Sequence, residues 1–169
     1  IEIVTGRGSV VGHELCANPD IDLITLTGST EVGIETAQVA AKTLTHTALE
    51  LGGNDAFIVM ADGDVDLATD EVIWGRMYNT GQVCCASKRF LVHESRVQEF
   101  TDKVVEKISA LKQGMPAEDD TQIGCLISEK AAIEVERQIN LTVEQGGKIV
   151  LGGKRNGAFV EPTVIVDVP

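Results

Sequence analysis

The first third of the chain alternates short apolar runs with amphipathic stretches. Ile1 to Val4 reads as a strand, and Gly6-Arg7-Gly8 turns into a short helical segment ending before Asn18-Pro19. Ile21 to Thr27 reads as a second strand, with Leu23, Ile24 and Leu26 nearly continuous as in a buried parallel strand. Thr30 to Lys42 predicts a helix and Thr45 to Leu51 a third strand. Strand, helix and strand on short links are the pattern of a parallel α/β sheet.

The pattern restarts after Gly52-Gly53. Ala56 to Met60 predicts a strand that stops at Asp62-Gly63-Asp64. Asp64 or Asp66 then caps a helix running to about Asn79, with Leu67, Val72, Ile73 and Met77 on one side. Arg89 to His93 reads as a strand. Val97 to Lys112 carries the clearest helical period, because Val97, Phe100, Val104, Ile108 and Leu111 recur at steps of three and four. Ser128 to Glu144 predicts another helix with Ser128 as its cap, and Lys148 to Leu151 and Thr163 to Val166 predict late strands.

Composition narrows the function classes. The 169 residues carry 14 basic against 26 acidic side chains, a net charge of −12, which argues against a nucleic-acid partner. Hydrophobic residues at 43% suffice for a packed core. The longest clean apolar run, Ala56 to Ala61, is far short of a membrane span. The chain opens without Met and without a secretory apolar segment, so an acidic, soluble, cytoplasmic chain that begins in mid-stride is expected. No metal site is expected either. Cys16, Cys84, Cys85 and Cys125 lack zinc spacing, and His13, His46 and His93 are scattered. Asp62-Gly63-Asp64-Val65-Asp66 begins like a calcium loop but has Leu67 and Ile73 where glycine and glutamate are needed.

Three segments can carry chemistry. Thr27-Gly28-Ser29-Thr30-Glu31-Val32-Gly33 lies where a strand meets a helix, so its free N–H groups suit a phosphate, or Ser29 is simply a helix cap. Gly6-Arg7-Gly8-Ser9-Val10-Val11-Gly12 is one residue off the dinucleotide fingerprint and reads as a tight turn. Glu50, in Ala48-Leu49-Glu50-Leu51-Gly52-Gly53, ends an apolar strand. Desolvation there would make it a general base, whereas a strand-end glutamate turned to solvent would not be one. Asn79-Thr80-Gly81-Gln82-Val83-Cys84-Cys85-Ala86 places a thiol in the turn after a helix, where backbone N–H groups can activate it. A free cysteine is otherwise commonly buried as a small hydrophobe. Of the adjacent Cys84 and Cys85, one is expected to be reactive and the other core, with a strained vicinal disulfide ranked low.

Together these segments resemble the aldehyde dehydrogenase family. Gly28-Ser29-Thr30-Glu31-Val32-Gly33 is similar to its cofactor-binding turn, Leu49-Glu50-Leu51-Gly52-Gly53 to its general-base segment, and Gly81-Gln82-Val83-Cys84 to its nucleophile segment. Their order and the 34-residue separation of Glu50 and Cys84 are those of the family, and the resemblance extends to Ile123-Gly124 and Glu161-Pro162-Thr163. It implies an α/β fold in which residues 1–52 end a parallel-sheet dinucleotide-binding domain. Residues 53–169 then form most of an α/β catalytic domain, cut on its C-terminal side.

The resemblance also implies the chemistry. Cys84 attacks an aldehyde, a backbone N–H at Cys84 helps hold the oxyanion, and Glu50 activates the water that hydrolyses the thioester. The cofactor is NAD or NADP, held at Gly28, Ser29, Thr30, Glu31, Val32 and Gly33, with Leu51 near the nicotinamide. The parent enzyme is expected to be a homo-oligomer. Asn54-Asp55-Ala56-Phe57-Ile58-Val59 and Lys88-Arg89-Phe90 look most like the succinate-semialdehyde branch, with Tyr78 and Val83 near the substrate. Tyr78 departs from that branch, which has arginine at this spot, and Cys84-Cys85 departs from its Cys-x-Cys. The family's upstream asparagine and lysine and its downstream glutamate segment have no counterpart in these residues. A cysteine hydrolase with a histidine base and a non-catalytic fragment are the rival readings; no histidine here has a motif for the first.

Overall fold

Two parallel strand pairs, one on each side of Gly53, organise the chain. The computed structural model describes residues 1–169, which divide into one compact unit at Ile1–Gly53 and a second at Asn54–Pro169.

In the first unit a π-helical turn at Gly8–Gly12 leads into α1 (His13–Ala17). Strand β1 (Leu23–Thr27) is joined through α2 (Thr30–Ala40) to β2 (His46–Glu50). The strands run parallel, in register from Leu23 opposite His46 to Thr27 opposite Glu50. Helix α2 packs on this pair and buries Gly33, Thr36, Val39 and Ala40, a stripe of helical period. Two expectations need correction. Ile1 to Val4 is exposed and forms no strand, since β1 pairs with β2 alone and offers these residues no ladder. Strand β1 is not buried on both faces: Leu23 is 58% exposed and burial alternates along the strand. Covering one face gives alternation.

In the second unit β3 (Asp55–Val59) is followed by α3 (Val65–Val72), whose N-cap Asp64 accepts the Leu67 N–H at 3.1 Å. The helix buries Val65, Thr69 and Val72. Leu67, expected on that face, is exposed because it stands two residues from Val65, near the opposite side of the helix. Nor does α3 continue to Asn79. It widens into a π-helical turn at Ile73–Met77 and closes in a tight turn at Tyr78–Gly81. Strand β4 (Ser87–Val92) runs parallel to β3, and α4 (Val97–Ser109) lays Phe100, Val104 and Ile108 against them. Val59, Val65 and Val72 complete this core, and Phe57, Phe90 and Phe100 meet with ring centroids 5.5–6.4 Å apart. At its edge Lys103 pairs with Asp66, and Lys107 pairs with Asp70 and donates to the buried Thr69 hydroxyl at 2.9 Å.

Helix α5 (Glu129–Glu144), capped by Ser128 as expected, builds a second cluster from Leu126, Ala132, Ile139 and Val160. Strand β5 (Lys148–Leu151) and the short hairpin of β6 (Arg155–Asn156) and β7 (Phe159–Val160) follow. Strand β8 (Val164–Val166) returns antiparallel to β5. The two-residue hairpin strands carry no period that the sequence could display. No helix is long and apolar enough to cross a membrane.

Candidate active site

At the carboxyl end of the first strand pair, the register sets Thr27 beside Glu50, and the Gly28 N–H donates to the Glu50 carbonyl at 3.0 Å. The turn therefore leaves β1 anchored to the last residue of β2. The Ser29 hydroxyl accepts the Val32 N–H at 3.3 Å, and the Gly33 N–H donates to the Ser29 carbonyl at 2.9 Å. Helix geometry leaves the Thr30 and Glu31 N–H groups without intrahelical acceptors, and both residues are exposed. Gly33 is buried, and a Cβ built there would stand 2.6 Å from Leu51 Cδ2. Only hydrogen at this position lets the first turn of α2 settle on Leu51. Gly28, Ser29, Thr30, Glu31, Val32, Gly33, Glu50 and Leu51 are thus one constellation at the end of a parallel pair. That is where open α/β sheets take ligands.

Glu50 itself is exposed. The apolar flanks that suggested desolvation do not bury its side chain in this unit, because period-two alternation turns it away from half-buried Leu49. The exposed open end of α2, with its free N–H groups and the Ser29 hydroxyl, carries the donors that the pyrophosphate of a dinucleotide would need.

In the second unit Val83 to Ala86 forms a turn closed by the Ala86 N–H on the Val83 carbonyl at 3.2 Å, with Cys84 and Cys85 at its centre. Both cysteines are free and both are exposed, so neither is a core residue and the expected split between them does not occur. The Cys84 N–H has no acceptor within the chain. Tyr78 is exposed and stacks on Trp74 with centroids 6.3 Å apart, while Val83 is half-buried.

Ahead of the thiol, Asn79, Thr80 and Gly81 all have positive φ (50°, 57° and 73°), a left-handed stretch the sequence did not announce. Four hydrogen bonds involving side chains hold it. Arg76 Nη1 donates to the Gly81 carbonyl at 3.0 Å, and the Asn79 and Gln82 side chains each donate to the other's carbonyl at 3.2 Å. The Gly124 N–H donates to Thr80 Oγ1 at 3.2 Å. Gln82 Oε1 further accepts the Ile127 N–H at 2.8 Å, tying the segment after Ile123 to the loop. Beyond the thiol, Arg89 donates twice to the Asn54 carbonyl, at 3.1 and 2.9 Å, fixing the amino ends of β3 and β4. Of two clefts of about 490 and 660 Å³ in this unit, the first is lined in part by Arg76 and Met77, and Cys84 lines neither.

Arg76 escaped the sequence reading, while Thr80 and Gln82 were quoted in the nucleophile segment without a role of their own. The only signal was Asn-Thr-Gly, which reads as an ordinary helix stop.

Residues 1–169 match the model of the aldehyde dehydrogenase family, and the chain belongs to that family. It is 40% identical over 164 residues to lactaldehyde dehydrogenase of Methanococcus aeolicus, covering 96% of this chain and 35% of that protein. It is 39% identical over 170 residues to the NADP(+) succinate-semialdehyde dehydrogenase of Escherichia coli, covering 99% and 35%. A crystal structure of betaine aldehyde dehydrogenase from Staphylococcus aureus in complex with NAD+ superposes with a TM-score of 0.93 at 34% identity. That superposition covers 98% of this chain and 34% of the other. The chain spans about a third of the length of the relatives it matches. The α/β expectation and the family resemblance both hold.

Proposed function

We propose that the protein carrying this chain oxidises an aldehyde to a carboxylic acid with NAD or NADP, using Cys84 as nucleophile and Glu50 as general base. The observation that carries this reading is the Val83–Ala86 turn, which presents an exposed, unbridged Cys84 thiol with its own N–H free. Residues 1–52 end the dinucleotide-binding domain and residues 53–169 belong to the catalytic domain. Gly28 to Gly33 hold the pyrophosphate at the start of α2, and Leu51, packed on Gly33, borders the nicotinamide.

The Cys84 thiolate adds to the aldehyde carbon, forming the C–S bond and placing negative charge on the former carbonyl oxygen. The Cys84 N–H, having no other acceptor, donates to that oxygen. Held at Gly28 to Gly33, the nicotinamide dinucleotide would supply the two-electron oxidant that takes the Cys84-bound carbon to the thioester level. Glu50 removes a proton from water as the water adds to the thioester carbon, and the C–S bond breaks to return the thiolate and release the acid.

Succinate semialdehyde is the preferred substrate in this reading. The relatives named for succinate semialdehyde and for lactaldehyde are equally similar, which makes lactaldehyde the competing substrate. Tyr78 and Val83, six residues and one residue before the thiol, contact the aldehyde in this reading. The test uses the full-length protein with succinate semialdehyde, lactaldehyde and betaine aldehyde, each with NAD+ and NADP+, followed by reduced-nicotinamide absorbance. Succinate semialdehyde should give the highest kcat/KM, and Cys84→Ala should lower turnover by about 10³-fold or more. Full turnover in Cys84→Ala would remove the nucleophile assignment. A higher kcat/KM for lactaldehyde would move the substrate.

A further inference from the structure

We infer that Arg76 is a positioning residue for the Cys84 turn, its guanidinium clamping the Gly81 carbonyl and so fixing the left-handed loop that delivers the thiol; this rests on Cys84 being the nucleophile.

A partly buried guanidinium needs a reason, because an unpaired charge away from water is costly. No carboxylate stands within ion-pair distance of Arg76, and its one hydrogen bond goes to the Gly81 carbonyl at 3.0 Å. Burial pushes the guanidinium down from its ordinary value, as expected for a cation without a counterion. The bond spans five residues, from the π-helical turn to the end of the left-handed stretch at Asn79, Thr80 and Gly81. A β-branched residue at positive φ, as at Thr80, persists only where the surroundings over-determine it.

Gly81 has a φ of 73°, a conformation that disfavours any side chain. A Cβ there would overlap the Arg76 guanidinium and stand 3.0 Å from the Arg76 carbonyl. The guanidinium is the movable end of a flexible side chain, so it is the positive φ and the Arg76 carbonyl that call for glycine here. With the Gly81 carbonyl fixed, only Gln82 and Val83 separate the clamp from Cys84, so freedom at the clamp becomes displacement of the sulfur. The rival role for a cation near a thiol is electrostatic, lowering the thiol's proton affinity. The two roles differ in what a neutral hydrogen-bond donor can restore.

The experiment compares Arg76→Met, Arg76→Gln and Arg76→Lys in the full-length protein. Three quantities are read: kcat, KM for aldehyde and for dinucleotide, and the pH profile of iodoacetamide alkylation at Cys84, localised by tandem mass spectrometry. Arg76→Met should lower kcat and the alkylation rate by between about tenfold and 10²-fold, the scale of a small misplacement. KM for the dinucleotide and the midpoint of the alkylation profile should stay unchanged, and Arg76→Gln and Arg76→Lys should each recover part of the loss. Wild-type kcat and alkylation in Arg76→Met would overturn the proposal. So would a shifted midpoint that lysine restores and glutamine does not. If Arg76→Met does not fold, the glutamine and lysine variants decide by the same criteria. Cys84→Ala, assayed alongside, reports on the nucleophile separately, because the alkylation comparison does not depend on turnover.

Discussion

Glu50 shows how one residue's environment sets what a substitution will reveal. Its carboxylate is exposed while its carbonyl holds the Gly28 N–H, so side chain and backbone serve different ends. Glu50→Gln keeps the backbone bond and nearly the same volume and removes only the carboxylate proposed as the base. The first-turnover burst of reduced nicotinamide should therefore survive, while steady-state turnover falls by about 10²-fold or more, the usual weight of a general base. Stopped-flow absorbance separates the two; a lost burst with cofactor binding intact would mean that Glu50 acts earlier than hydrolysis. Cys84 and Glu50 could be picked out in the sequence because each sits in a motif with fixed neighbours. Arg76 could not, since its partner lies five residues away through a π-helical turn that no period encodes. The role of Thr80 was equally hidden. Left-handed threonine costs on the order of 1–2 kcal/mol, and nothing local in Asn-Thr-Gly says that the cost is met by Gly124.

Among elements, α2 joins the most of the site. Its N-cap, its first free N–H groups and the glycine that seats it on Leu51 fall within residues 29–33. Ser29→Ala removes the acceptor for the Val32 N–H and should cost about 1 kcal/mol of stability. If the hydroxyl also meets the pyrophosphate, KM for the dinucleotide rises while KM for the aldehyde holds; equal KM values in variant and wild type would confine Ser29 to capping. Denaturant titration and steady-state kinetics read the two effects independently. Helix α2, like α4 and α5, was legible because buried positions recur every three or four residues and a Ser or polar residue marks the start. The strands were legible wherever a parallel partner exists. Ile1 to Val4 has the same apolar character and no partner, which is why β-propensity alone misassigned it. The β6–β7 hairpin failed for the opposite reason, with a partner present and too few residues for a pattern.

Across the whole molecule the charge of −12 sets the terms on which pH acts, because the acidic excess is partly held by specific cations. Arg137 holds the Glu134 carboxyl down to about 2, chiefly through its hydrogen bond, with Gln138 helping. Lys103 likewise lowers Asp66 by hydrogen bond and charge. A carboxylate with a depressed folded pKa contributes stability above its unfolded value of roughly 4, and that contribution fades as pH falls through the folded value. On the basic side, Asp66 raises Lys103 and Asp167 raises Lys148, so their contribution is complete below the ordinary lysine value and fades only above it. Stability should therefore be level from about pH 5 to pH 9 and decline toward pH 2. These pairs are solvent-exposed, so salt should shrink the decline. Urea midpoints measured from pH 2 to pH 9 at low and high salt check the profile, and the Glu134 carboxyl resonance should titrate near 2. A midpoint that stays level down to pH 2, with Glu134 titrating near its ordinary value, would mean that the Arg137 and Lys103 pairs do not persist in solution. The same pairs do not mark the candidate site. The shifted carboxylates lie on α3 and α5, at the edges of the helices, whereas Cys84 and Glu50 carry no ion pair at all.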